Sequence, residues 1–186
     1  MTYFRRYRME MNLRDWSGSW DAPDMAARGY EWVAFDEGLV REHAAAKFQS
    51  FRSEMDADVF PCLGRRDGCL RLMREITSRA AFVPEATWLI RYRDRPGGRP
   101  IPVGTIQGLN LDEWGAVQNL GVVPEHRGNG LGRMLMMRSA AGFKSAGLER
   151  MHLEVTTANT HAVRLYERIG FRQAKVVYKA CEVAGV

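Results

Sequence analysis

The stretch Val122-Val123-Pro124-Glu125-His126-Arg127-Gly128-Asn129-Gly130-Leu131-Gly132 sets three alternating glycines between an apolar strand and a helix. Glycine permits positive φ and close backbone approach, so successive N–H groups can converge on an anion at the positive end of a helix. The chemistry such a loop would do is to hold a pyrophosphate. A dinucleotide G-x-G-x-x-G fails because position 133 is Arg133, and a P-loop fails because no Gly-Lys-Ser/Thr follows. A turn that uses glycine only to change direction accounts for the glycines alone equally well.

Other residues have chemistry-bearing types with several readings. Glu54, Asp56 and Asp58 crowd one short segment and could attract a cationic amine, or form a solvated loop or helix cap. Ala162, Val163, Tyr166 and Ile169 fall on one helix face, which by itself makes Tyr166 a core tyrosine. Asn159 is placed to cap that helix. His43, His126, His152 and His161 show no metal-ligand spacing, and His43 reads as a core histidine. Cys62, Cys69 and Cys181 form neither a CxxC pair nor a zinc set, so reduced thiols near the core are expected and no metal is called for.

The elements that must position these residues follow from hydrophobic period and breakers. Alternation over Tyr3–Leu13 predicts a half-buried strand. Residues 14 to 29 have a loop composition, and Tyr30–Phe35 predicts a second strand. Asp36 caps a helix whose apolar stripe is Leu39, Val40, His43, Ala44, Phe48 and Phe51, and a further helix is expected over Asp67–Ala80. Thr87–Arg93 and Ile101–Leu109 read as a hairpin, and Gly115–Val123, apolar on both faces, reads as a central strand. A helix over Leu131–Ala146, a strand over Met151–Thr156, a helix over Asn159–Ile169 closed by Gly170, and a strand over Phe171–Lys179 complete the chain.

Strand, proline, then Arg127-Gly128-Asn129-Gly130-Leu131-Gly132 resembles the R/Q-x-x-G-x-G/A loop of the GNAT superfamily of N-acetyltransferases. Asn159-Thr160-His161-Ala162-Val163-Arg164-Leu165-Tyr166-Glu167-Arg168-Ile169-Gly170-Phe171 is similar to that family's N-x-x-A-x-x-L-Y-x-x-x-G-F signature. The resemblance is specific over residues 101 to 179 and extends in element order back to Tyr30. It implies an α/β fold with a mixed, mostly antiparallel central sheet, helices on both faces and a V-shaped split holding acetyl-CoA. The expected organisation is an N-terminal strand and loop arm over residues 1–29 and one GNAT domain over 30–186.

The resemblance also implies roles. Residues 127–132 would hold the acetyl-CoA pyrophosphate, and Asn159 the pantetheine arm. The backbone N–H groups of Leu120 and Val122 would donate to the oxyanion, and Tyr166 would protonate the departing thiolate. A base is needed because a free lysine-type amine is almost fully protonated at neutral pH. Glu154 is the first candidate, its spacing to Tyr166 being similar to that in ribosomal-protein alanine N-acetyltransferases, and Glu113 the second. Outside this role Glu154 is a solvent-facing strand residue, or a carboxylate pairing with Arg150 or Arg172. Glu54, Asp56 and Asp58 fall in the region that borders the acceptor site in such folds, and Trp16, Trp20, Trp32, Trp88 and Trp114 are core or pocket aromatics.

One departure stands out: the family's sheets end in two strands, and only one is evident before the chain ends. The strand over Tyr3–Leu13 is expected to substitute, or a partner chain, as in a homodimer, to cover the edge.

The 186-residue chain, 46% hydrophobic and 26% charged, is neither disordered, collagenous nor a disulfide scaffold. No window approaches a membrane span and the N-terminus lacks a signal-peptide run, so the cytoplasm is the expected location. The net charge of +5 is spread along the chain, which argues against a nucleic-acid partner. The activity expected is acetyl transfer from acetyl-CoA to an amine, of the EC 2.3.1 class. The alternative is a catalytically silent CoA-sensing or protein-binding module.

Overall fold

The structure, a computed structural model, describes residues 2–17 and 24–181; Trp20 lies outside them. Among the described residues seven strands form one sheet: β1 (Thr2–Asn12), β2 (Tyr30–Ala34), β3 (Trp88–Tyr92), β4 (Ile101–Leu111), β5 (Trp114–Val122), β6 (Arg150–Thr156) and β7 (Arg172–Cys181). Their order is β2-β3-β4-β5-β6-β1-β7, with every pairing antiparallel except β5–β6. The helices are α1 (Val40–Phe51), α2 (Asp56–Val59), α3 (Arg66–Ser78), α4 (Leu131–Ser145) and α5 (Thr160–Ile169). The short helix α2 replaces the loop reading of Glu54–Asp58.

The N-terminal strand joins the central sheet, the place the substitution reading expected for it. β1 lies between β6 and β7, with Met9 opposite Leu153 on one side and Arg6 opposite Val177 on the other. Its odd-numbered side chains Met9, Met11 and the following Leu13 are buried in the core. Its even side is less polar in setting than alternation implies, for Arg6 is only 8% exposed.

The two faces of β4 sort the helices. Adding a Cβ at Gly104 or Gly108 would press on Leu135 or Phe143 of α4, so the even positions face α4. Thr105 and Gln107 instead meet His43 and Lys47 of α1. In β5, Ile106 pairs with Leu120 while Gly108 pairs with Val117, leaving Gln118 and Asn119 opposite Gln107 alone. That extra residue is a β-bulge, which reverses which side chains face which layer. Gly115 accordingly backs onto Phe143 of α4, whereas Gly121, which would share its face in a regular strand, backs onto Ser50 and Phe51 of α1.

The main core lies on the α4 side, with Met9, Ile106, Leu135, Phe143 and Leu153 among its fully or almost fully buried members. At roughly 1.5–3 kcal/mol for each large side chain removed from water, this layer is the main stabilising contribution. The opposite face holds a smaller cluster of Leu63, Cys69 and Met73 beneath α1 and α3. Cys62, Cys69 and Cys181 are free thiols.

Candidate active site

β5 and β6 pair only at Gly115–Met151 and Ala116–His152, then part. Val123 N donates to Val103 O on β4 at 2.9 Å. Peptide groups alternate sides along a strand, so the N–H groups of Leu120 and Val122 point away from β4 into the split. Val122 O lies on that same side and accepts from Arg127 Nε at 2.9 Å.

The split opens onto a cavity of about 390 Å³. Leu120 and Asn119 of β5 line it from one side, and His152 and Glu154 of β6 from the other. Tyr166 of α5 reaches the same cavity and is 9% exposed. Tyr166 also packs edge-on against Phe171, with ring centroids 6.0 Å apart. Burial raises the Tyr166 pKa well above the usual phenol value, the Asp56 carboxylate adds to the rise, and Arg6 opposes it. The hydroxyl therefore stays protonated through the physiological range.

Asp56, on α2, lines the cavity. Burial raises its pKa, with Arg6 opposing, Glu54 adding to the rise and a hydrogen bond with Asn159 lowering it. Asn159 also caps α5 by accepting from Ala162 N at 3.2 Å. Both expectations for this residue are thus physically compatible, since cap and cavity use the same side chain. Glu54 and Asp58 are not brought there: Glu54 pairs with Arg127 Nη1 at 2.7 Å, and Asp58 is exposed outside the cavity. Glu113 sits exposed in the tight β4–β5 turn at φ +62° and does not line the cavity either.

Glu154 pairs with Arg6 across 3.3 Å, not with Arg150 or Arg172, and the other Arg6 amino group donates to Glu154 O at 2.7 Å. Arg6 and His152 are among the cavity residues that sequence reasoning missed. The signal for His152 was available: it precedes Glu154 by two residues on one strand, so both fall on one face. Arg6 is legible only once β1 is known to lie against β6.

The glycine loop stands at the far end of β5. Gly128 has φ +77° and Gly130 +80°, values glycine adopts without penalty, and both leave the space beside Cα open. Gly130 precedes α4, whose first turn has no side-chain cap. Its leading N–H groups therefore face outward without intrahelical acceptors. A diphosphate fits this arrangement: open backbone, positive φ and the positive end of a long helix. Arg127 is committed elsewhere, since it donates to Val122 O, Ser50 O (2.9 Å) and Glu54, tying the loop to α1. Asn129 closes the loop by donating to His126 O at 3.0 Å and accepting from Arg28.

The sheet thus splits after its central strand, and a glycine loop opens the next helix. Residues 52–171 match the family model described as "Acetyltransferase (GNAT) family", and the chain belongs to that family. A mycothiol acetyltransferase of Nocardiopsis dassonvillei is 47% identical over 179 residues, covering 89% of this chain and 53% of that protein. Another, from Thermobispora bispora, is 53% identical over 57 residues, covering 31% of this chain and 19% of that protein. The chain thus spans about half the length of the first and matches a smaller part of the second. A solved GCN5-related N-acetyltransferase from Sphaerobacter thermophilus shares the fold with a TM-score of 0.67 at 21% identity, covering 96% of this chain and 50% of that one. Among the described residues no helix is long and apolar enough to cross a membrane.

Proposed function

We propose that this chain transfers an acetyl group from acetyl-CoA to a primary amine, by direct attack of the amine on the thioester. The observation that carries the reading is the pairing of two features: the Leu120 and Val122 N–H groups turned away from β4 into the split, and the buried, protonated Tyr166 hydroxyl on the cavity that Leu120 also lines. Residues 128–132 and the start of α4 would hold the diphosphate, and Asn159 the pantetheine arm. When bound, acetyl-CoA supplies the activated acyl carbon.

The chain's own groups supply the rest. Leu120 and Val122 donate to the thioester carbonyl oxygen as it gains negative charge, a contribution worth about 3–4 kcal/mol per donor in comparable sites. A cavity base takes one proton from the acceptor nitrogen. The nitrogen–carbon bond forms, the carbon–sulfur bond breaks, Tyr166 gives its proton to the sulfur, and nitrogen sheds its second proton to solvent, from which Tyr166 regains one. The products are an N-acetyl amine and free CoA thiol.

Asp56 and Glu154 place negative charge where a cationic amine must dock. A chamber of about 390 Å³ suits a small acceptor. Similarity to mycothiol acetyltransferases supports a small-molecule amine over a protein side chain. The reading places the reaction in the cytoplasm. It is tested by following thiol release from acetyl-CoA against a library of small amines. Release that saturates with one amine supports the proposal, and release indifferent to every amine counts against it.

A further inference from the structure

We infer that His152, not a carboxylate, is the general base of this cleft, its imidazole Nε2 taking the proton from the acceptor nitrogen. The inference rests on the acetyl-transfer reading above and assigns the step that reading leaves open.

Three observations converge on this ring. It lines the cavity from β6, opposite Ala116 at the last β5–β6 pair before the strands part, and beside Glu154. Its Nδ1 is buried with no hydrogen-bond partner. Buried polar atoms are paired in the great majority of cases, and those left alone in a cleft call for an explanation. Because Nδ1 is sealed in, Nε2 is the nitrogen left to serve the cavity. The ring is held in place by an edge contact with Trp114, centroids 6.0 Å apart.

Glu154 is less free to serve. Its carboxylate is paired with Arg6, whose other amino group grips the Glu154 carbonyl, so taking a proton there would break an ion pair in a partly buried site. His152 has no such commitment. It faces Glu154 from its own strand, Arg8 and Glu10 from β1, and Lys175 from β7. Burial holds its pKa below the usual histidine range, with Arg8 and Lys175 lowering it further and Glu154 and Glu10 opposing. A neutral imidazole at pH 7 is the form that can accept a proton.

In the step itself, one ammonium N–H bond breaks and its proton moves to Nε2, and the freed nitrogen lone pair forms the bond to the acyl carbon. The carbon–sulfur bond breaks with its electron pair going to sulfur, which takes the Tyr166 proton, and nitrogen sheds its second proton to solvent as the amide forms. The imidazolium then returns its proton to solvent.

The test is the pH profile of kcat/KM in the wild type, His152→Gln and Glu154→Gln, with acetyl-CoA binding measured alongside. Expected are an acid limb in the wild type and in Glu154→Gln, and in His152→Gln its loss with kcat down about 10²- to 10⁴-fold and acetyl-CoA affinity changed less than threefold. A His152→Gln enzyme that keeps the wild-type limb and kcat overturns the assignment while leaving acetyl transfer intact. A wild type that releases no thiol with any amine overturns the underlying reading, and the base with it. Should the variant not fold, NMR titration of His152 in the wild type decides: a midpoint matching the acid limb supports the role, and a mismatch overturns it.

Discussion

Lys47 Nζ of α1 donates to Asn119 Oδ1 at 2.7 Å, which ties a fully buried lysine to the β5 bulge that lines the cleft. A second bond from Nζ to Gln107 Oε1, at 2.6 Å, anchors the same ammonium to β4. Gln107 Nε2 continues the network to Thr105 Oγ1 at 2.6 Å, and Thr105 in turn meets His43 Nδ1 at 2.8 Å. The bulge that precedes the oxyanion donors is thus held from the helix side by polar contacts that burial makes strong.

This network sets a pH signature on stability. Burial lowers the Lys47 pKa to about 7, from 10.5 in the unfolded chain. Between those values the unfolded state binds more protons, so stability rises with pH, by up to about 1.4 kcal/mol per pH unit, and falls again as pH drops toward 7. His43, lowered by burial to about 3 from 6.5, acts with the same sign in the lower window. Chemical denaturation of Lys47→Met from pH 4 to 10 is expected to lose the slope above pH 7 while retaining the one below pH 6.5.

Tyr166→Phe removes the proton destined for sulfur and nothing else of size. The expected result is a fall in kcat of about 100-fold or more with acetyl-CoA affinity retained. Because burial raises the phenol pKa, the wild-type rate should show no Tyr166-dependent decline up to pH 10. Steady-state rates over that range check both points.

At Gly130 the issue is backbone hand, not room. A Cβ there meets nothing within 4 Å, yet φ is +80°. Gly130→Ala should therefore cost stability only about 1–2 kcal/mol. It should weaken acetyl-CoA binding by tenfold or more, because the loop N–H groups turn away from the diphosphate. Thermal denaturation and calorimetric titration separate the two effects.

Deleting residues 1–12 takes a middle strand out of the sheet, leaving β6 and β7 with unpaired edges and Met151 and Leu153 stripped of Met9 and Met11. The truncated chain is expected to aggregate, as read by size-exclusion chromatography and circular dichroism.

Most of the architecture was legible in residue types. The strand and helix periods, the Pro124 stop, the Asn159 cap and the Gly170 stop all coincide with elements seen here, because each rests on local physics. What was not legible depends on contacts between distant segments. Lys47 lies outside the apolar stripe read for its helix and is buried only because α1 meets β4 and β5, and Arg6 falls on the polar side of the β1 alternation yet is buried because β1 lies beside β6. Glu54 carried the right charge for an acceptor site, but Arg127, 73 positions away, claims it. Glu113 stood near the central strand in sequence and falls at the end remote from the glycine loop, where the hairpin turn exposes it. The β5 bulge had no sequence mark beyond the polar pair Gln118-Asn119 in an otherwise apolar run.

The most direct measurement of the central claim is thermal stability with and without acetyl-CoA, followed on the same sample by thiol release in the presence of small amines. At a hundred times the dissociation constant, ligand binding adds about 2.7 kcal/mol, which for a chain of this size raises Tm by roughly 5–10 °C. The account predicts that rise together with amine-dependent release of free thiol. An unchanged Tm at millimolar acetyl-CoA would contradict the cleft between β5 and β6 as its binding site.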